Sequence, residues 1–127
     1  QRRRHEEWVA QIVDAMSDMP VVFDPVTGSP SQVISTLLRK LSAYTRQDRV
    51  RRFKIGITND PHRRFSQAYS GDFDEMIVLY ETSSLDFVST LEADLVEHNW
   101  DLTENIVGGG GGAIGEPPYF LYVVLRY

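Results

Sequence analysis

Between Arg52 and Thr58 the sequence RFKIGIT alternates apolar and polar residues and is rich in isoleucine, which specifies a β-strand with two different faces. The strand cannot continue, because Asn59-Asp60-Pro61 follows. Asn59 or Asp60 suits a helix cap and Pro61 suits the first helical position, so a short helix is predicted from Pro61 to about Tyr69. A strand that turns directly into a helix bearing Arg63 and Arg64 at its mouth is a strong constraint on the fold. It also raises a chemical question. Positive charge at that mouth serves a phosphate-like partner, an acidic surface within the same fold, or only solvation.

The remaining elements follow from pattern. EMIVLYET, from Glu75, is apolar enough for a central strand. Ser83 or Ser84 caps a helix to His98, with Leu85, Val88, Leu91 and Leu95 facing inward. A glycine-dominated loop then leads to a last strand, YFLYVVLRY. Upstream, Glu6 to Met19 reads as an amphipathic helix stopped by Pro20. The segment after it reads as a connector with a short edge strand at Val21–Phe23, and Ser31 to Tyr44 reads as a second helix with one apolar stripe. The predicted fold class is a small α+β layer: a three-stranded, mainly antiparallel sheet flanked by helices, with two extra N-terminal helices. All 127 residues fit one domain, with a helical N-terminal extension over 1–47 and a core over 52–126.

Composition narrows the function. The net charge of -5 and pI near 5.1 argue against a uniformly basic nucleic-acid binder. Local charge differs from the sum, because Arg46, Arg49, Arg51, Arg52, Lys54, Arg63 and Arg64 crowd one stretch of the chain. No apolar run spans a membrane, and no apolar signal region follows the basic start. The start without Met is expected of a piece of a longer chain. With no cysteine, disulfides and thiolate metal sites are excluded, which fits an intracellular protein. His5, His62 and His98 lack metal-ligand spacing and read as solvated surface. Gly108 to Gly112 lacks the Lys-Ser or Lys-Thr of a nucleotide-binding loop and reads as a mobile connection, while Asp72, Asp74 and Glu75 read as a solvated acidic turn.

The groups suited to chemistry are Arg64, Glu92, Asn105 and the tyrosines of the last strand. A phosphodiesterase needs a carboxylate for a divalent cation, a cation to neutralise developing charge, and a group to position or deprotonate water. Lys54-Ile55-Gly56, followed by Arg63-Arg64, then Leu91-Glu92 on a helix and Asn105 before glycines, resembles the GIY-YIG nuclease superfamily over roughly Phe53 to Leu125.

The resemblance implies a DNA endonuclease in which Arg64 holds the phosphate, Glu92 binds Mg²⁺ or Mn²⁺, and Asn105 orders the site. Its second motif, tyrosine-isoleucine-glycine, stands here with Lys54 in place of the tyrosine. Its first strand is not found upstream, so a circularly permuted arrangement is expected, with Phe120 to Leu125 as that strand and Tyr122 in place of its tyrosine. The family's His or Tyr four residues after the arginine falls on Ala68, and in an α-helix Tyr69 lies about 100° further round. Tyr122, with Tyr69 or Lys54 assisting, would activate water. Arg49, Arg51, Arg52 and Arg63 would bind the DNA backbone, and a protein partner could dock on the N-terminal helices. The alternative expectation is a GIY-YIG-like module that binds nucleic acid or protein without turnover.

Overall fold

The computed structural model describes residues 20–99 and 115–127. Four strands form one mixed sheet: β1 (Val21–Val26), β2 (Arg52–Thr58), β3 (Glu75–Thr82) and β4 (Tyr119–Arg126), in the spatial order β1-β3-β4-β2. Three helices join them: α1 (Pro30–Thr45), α2 (Pro61–Arg64) and α3 (Leu85–His98). The class is α+β. No helix among the described residues is long and apolar enough to cross a membrane.

The sheet has four strands where the sequence led us to expect three. The fourth is β1, which runs parallel to β3, with Val21 opposite Met76 and Val26 opposite Tyr80. The sequence led us to expect a short edge strand only over Val21–Phe23, within a connector that includes Pro25. Pro25 is tolerated because β1 is an edge strand and the register shifts between Phe23 and Val26, around the proline. Of the two expected N-terminal helices, the second is α1, which starts at Pro30 behind Ser29 rather than behind Ser31. The Ser29 backbone N–H donates to Gln32 Oε1 at 3.1 Å, half of a reciprocal cap. The helix expected over Glu6 to Met19 lies outside the described residues.

The alternation of the strands divides the core in two. On one face, Phe53, Ile55, Ile77, Leu121, Val123 and Leu125 pack under Val33, Leu37 and Leu41 of α1 and Val88, Leu91 and Leu95 of α3. Most of these side chains have no exposed surface, each worth about 1.5–3 kcal/mol in burial. α1 is therefore part of the main core rather than an appendage. On the opposite face, Val21, Met76, Val78, Tyr122 and Val124 pack under Phe65, Tyr69 and Phe73, from the segment that follows β2.

β4, last in sequence, lies between β2 and β3 and is antiparallel to both. Ile55 pairs with Val123, Gly56 with Tyr122 and Ile57 with Leu121. The entry to β4 is tied to the exit of β2, since Asn59 Nδ2 donates to the Glu116 carbonyl at 3.1 Å.

Candidate active site

The site begins where β2 stops. The Asp60 backbone N–H donates to Thr58 Oγ1, and Asp60 in turn caps α2 by accepting from the Arg63 backbone N–H at 3.2 Å. Pro61 occupies the first helical position and is buried with Phe65 and Tyr69, so those three residues fix the face turned to the sheet. After one α-turn the chain widens into a π-turn over Phe65–Tyr69, closed by the Ser70 N–H donating to the Phe65 carbonyl five residues back.

That extra residue corrects the expected position of Tyr69. Ordinary α-helical spacing would bring Ala68 back under Arg64 and leave Tyr69 about 100° away. The π-turn leaves Ala68 exposed and brings Tyr69 round, with the Arg64 guanidinium 5.6 Å from the centre of its ring.

Tyr122 reaches the same point from β4. Its ring crosses over Gly56 on the neighbouring strand, a passage that only the missing side chain leaves open. The Tyr69 and Tyr122 hydroxyls are 2.7 Å apart, and Arg64 Nε donates to the Tyr122 hydroxyl at 3.4 Å. Lys54 Nζ lies 5.9 Å from the centre of the Tyr69 ring. Four of the sequence-predicted residues thus converge from β2, α2, the π-turn and β4.

Their electrostatics are ordered by depth. Tyr122 is only 1% exposed and Tyr69 only 5%, whereas Arg64 is open to solvent. Burial, and then Tyr69, push the Tyr122 phenol well above the ordinary tyrosine range, against the opposite pull of Arg64. The hydrogen bond to Tyr122 raises the Arg64 guanidinium above its usual value, with burial opposing. At neutral pH the arrangement is a permanent cation over a protonated phenol. An approaching anion meets Arg64 first.

Glu92 stands apart from this cluster. It is half-buried on α3, whose apolar side packs on the opposite sheet face, and Lys54 is the cation whose charge reaches it. Burial raises its carboxyl above the usual range, and Lys54 lowers it by less. A carboxyl with a raised folded pKa binds its proton more tightly when folded. Its contribution to stability is whole below the unfolded pKa and is lost as pH rises through the folded one. Glu92→Gln is therefore expected to gain stability relative to wild type as pH rises from 4 to 7, read as a widening gap between their urea midpoints.

Among the described residues no three His, Asp or Glu side chains gather to hold a metal ion. Mg²⁺ needs only one or two protein carboxylates when phosphate and water complete its shell, so Glu92 alone fits the ion in donor type. Asn105, the residue expected to order the site, lies outside the described residues.

The arginine-rich stretch proves not to be one continuous strip. Arg52 makes a two-pronged bond to Asp72 at 3.0 and 3.1 Å and lies over the Phe73 ring. Arg126 pairs with Asp74 at 3.4 Å, and Asp74 also accepts the Tyr127 backbone N–H. The acidic turn read as solvated is thus the partner of nearby arginines, and Arg52 holds Asp72 below the usual carboxylate range. Arg49 lies 4.1 Å from the centre of the Tyr127 ring and bonds to Gln47. The Arg51 backbone N–H donates to the Arg126 carbonyl, continuing the β2–β4 ladder. Arg63 is exposed, with Asp60 at 3.9 Å. An acidic surface in the same fold therefore accounts for Arg52, but not for Arg64.

Sequence reasoning missed the role of Gly56. Glycine in an alternating strand signals a close approach, and here the approaching group is Tyr122. Compared with protein-family models, curated proteins and solved structures, the chain matches none.

Proposed function

We propose that this chain is a circularly permuted GIY-YIG-like domain that hydrolyses phosphodiester bonds in DNA with the help of a divalent cation. The observation that carries the reading is the meeting of Tyr122, Tyr69, Arg64 and Lys54 where β4 runs antiparallel beside β2, with Tyr122 opposite Gly56. That adjacency is what a first-motif strand moved to the far end of the chain requires. The strand-turn-arginine order, which chain connectivity alone would not explain, then has a chemical purpose.

In this reading Arg64, the exposed member, binds the scissile phosphate and neutralises the charge that grows on it in the transition state. Lys54 adds a second positive charge beside the Tyr69 ring. Tyr122 positions the attacking water or a phosphate oxygen through its hydroxyl. Its own proton is held by burial, so Tyr122 orients the water as a hydrogen-bonding group, and the proton that the water loses on attack leaves to solvent. Glu92, apart from the Arg64 cluster and linked to it only through the charge of Lys54, is the carboxylate that would hold Mg²⁺ or Mn²⁺, and the ion when bound would supply Lewis-acid stabilisation of phosphate charge. The test is nicking of supercoiled plasmid and of branched DNA with either metal. Activity that needs the metal and disappears in Glu92→Ala supports the reading.

One observation favours a second reading. Tyr122 is almost fully buried and its phenol is held protonated, the state of a structural tyrosine as much as of a catalytic one. A domain that binds without turnover would give a salt-sensitive DNA shift and no nicking with either metal. No shift at all would point to a protein partner, for which the exposed side of α1 is the candidate surface.

A further inference from the structure

Three aromatic rings meet on the Tyr122 face of the sheet and do little for the core. Phe23, on edge strand β1, is 47% exposed. Its ring centre lies 5.4 Å from that of His62 on α2, tilted by 38°, and 6.0 Å from that of Phe120 on β4, edge-on at 89°. His62 is also exposed, while Phe120 is half-buried against the cluster that contains Tyr122. A single exposed apolar residue needs no explanation, but an open aromatic group that includes His62, on the same short helix as the exposed Arg63 and Arg64, does.

The placement links this group to the phosphate site. Phe120 is two residues before Tyr122 on β4, about 7 Å along the same face. Pro61 and Phe65 turn α2 toward the sheet. His62 and Arg64, each one residue from that inward line, therefore leave α2 on opposite flanks, and Arg63 projects outward between them. His62 points to Phe23, and Arg64 points to Tyr122. A chain of alternating phosphates and flat bases crossing α2 would meet Arg64, Arg63 and the aromatic group in turn.

We propose that Phe23 and His62, backed by Phe120, form a stacking platform for an unpaired DNA base close to the phosphate held by Arg64. The inference rests on the phosphate-site reading above and adds the substrate class, a strand with at least one unstacked nucleotide. In a regular duplex both faces of each base are covered by neighbours, so occupying the platform would require unstacking. A single strand offers its faces freely, and stacking on aromatic side chains tolerates any base.

The probe is a short single-stranded DNA carrying one 2-aminopurine, compared with the blunt duplex of the same sequence. Wild type is expected to prefer the single strand and to quench the 2-aminopurine fluorescence. Phe23→Leu keeps an apolar side chain on β1 but removes the flat ring. It should lose the quenching and bind the single strand roughly ten-fold more weakly, with its salt dependence unchanged. His62→Ala should weaken the single-strand complex in the same direction. Arg64→Ala should instead reduce the salt slope, for strand and duplex alike. Equal, Arg64-dependent binding of strand and duplex, with Phe23→Leu indistinguishable from wild type, overturns the platform and leaves the phosphate site standing. Failure to bind either DNA overturns both.

Discussion

Replacing Arg64 with alanine is expected to lower metal-dependent nicking by on the order of 10²–10³-fold, the usual consequence of deleting one preorganised stabiliser of transition-state charge. The fold should survive, because the side chain is exposed and the two phenols beneath it keep their mutual 2.7 Å hydrogen bond. Arg64→Lys separates charge from geometry. A lysine retains the charge but loses the Nε–H that reaches Tyr122 and the planar fork suited to two phosphate oxygens. It should recover only a minor part of the activity. Turnover is to be measured by plasmid nicking for all three proteins at equal concentration, with thermal melting run in parallel. Unchanged nicking in Arg64→Ala would remove Arg64 from the mechanism.

Gly56→Ala is expected to destabilise the domain by about 3 kcal/mol, at the upper end of the cost of overpacking a core. An added β-carbon would lie 2.5 Å from Tyr122 Cζ and closer still to the hydroxyl. Tyr122 has no easy retreat. Its ring is buried in the packing of Phe65, Tyr69 and Val78, and its backbone is paired on both sides, with Gly56 and Val78. Any movement that relieved the clash would also draw the hydroxyl away from Tyr69 and Arg64, so nicking should fall with stability. Gly71→Ala is the control, because a β-carbon there meets nothing within 4 Å. It should change the urea midpoint by less than about 0.5 kcal/mol in equivalent stability. Similar midpoints for the two variants would show that Tyr122 does not depend on the gap over Gly56.

Much of this architecture is legible where local signals agree with one another. Arg52–Thr58 alternates and ends at Asn-Asp-Pro, and β2 has those bounds while α2 begins at Pro61. Ser84 accepts the Phe87 N–H as a capping serine should, and α3 ends at His98. The misses come from interactions that local patterns do not encode. Only Val21–Phe23 of β1 reads as a short edge strand, because Pro25 argues against its continuing to Val26 unless its place at the sheet edge is known, and that place depends on pairing with β3, more than fifty residues away. The π-turn escapes because a count of residues per turn assumes one helical geometry. Its origin lies in tertiary packing that buries both Phe65 and Tyr69.

The candidate site shows the same division. Arg64 and the last-strand tyrosine Tyr122 could be named from residue type, Tyr69 and Lys54 only through the family resemblance, and the four do meet. That Arg52 belongs to Asp72 could not be read from spacing, because a turn after the π-segment brings the two together. His62 reads as solvated surface and Phe23 as the end of an edge strand, since the contact between them joins β1 to α2 across the sheet.

The position of β4 also has a consequence for how the chain reaches this state. Until β4 is in place, β2 has no strand partner among the described residues, and β1 with β3 is only a two-stranded parallel ribbon. Neither piece is stable alone. As the chain emerges in order from the ribosome, the strand that joins the two pieces arrives after every other described element. Closure therefore waits on contacts of long sequence separation, which favours slow, cooperative folding over stepwise accretion. The Arg64 site would be completed only in that last step, so an incompletely made chain would carry the arginine without the tyrosine beneath it.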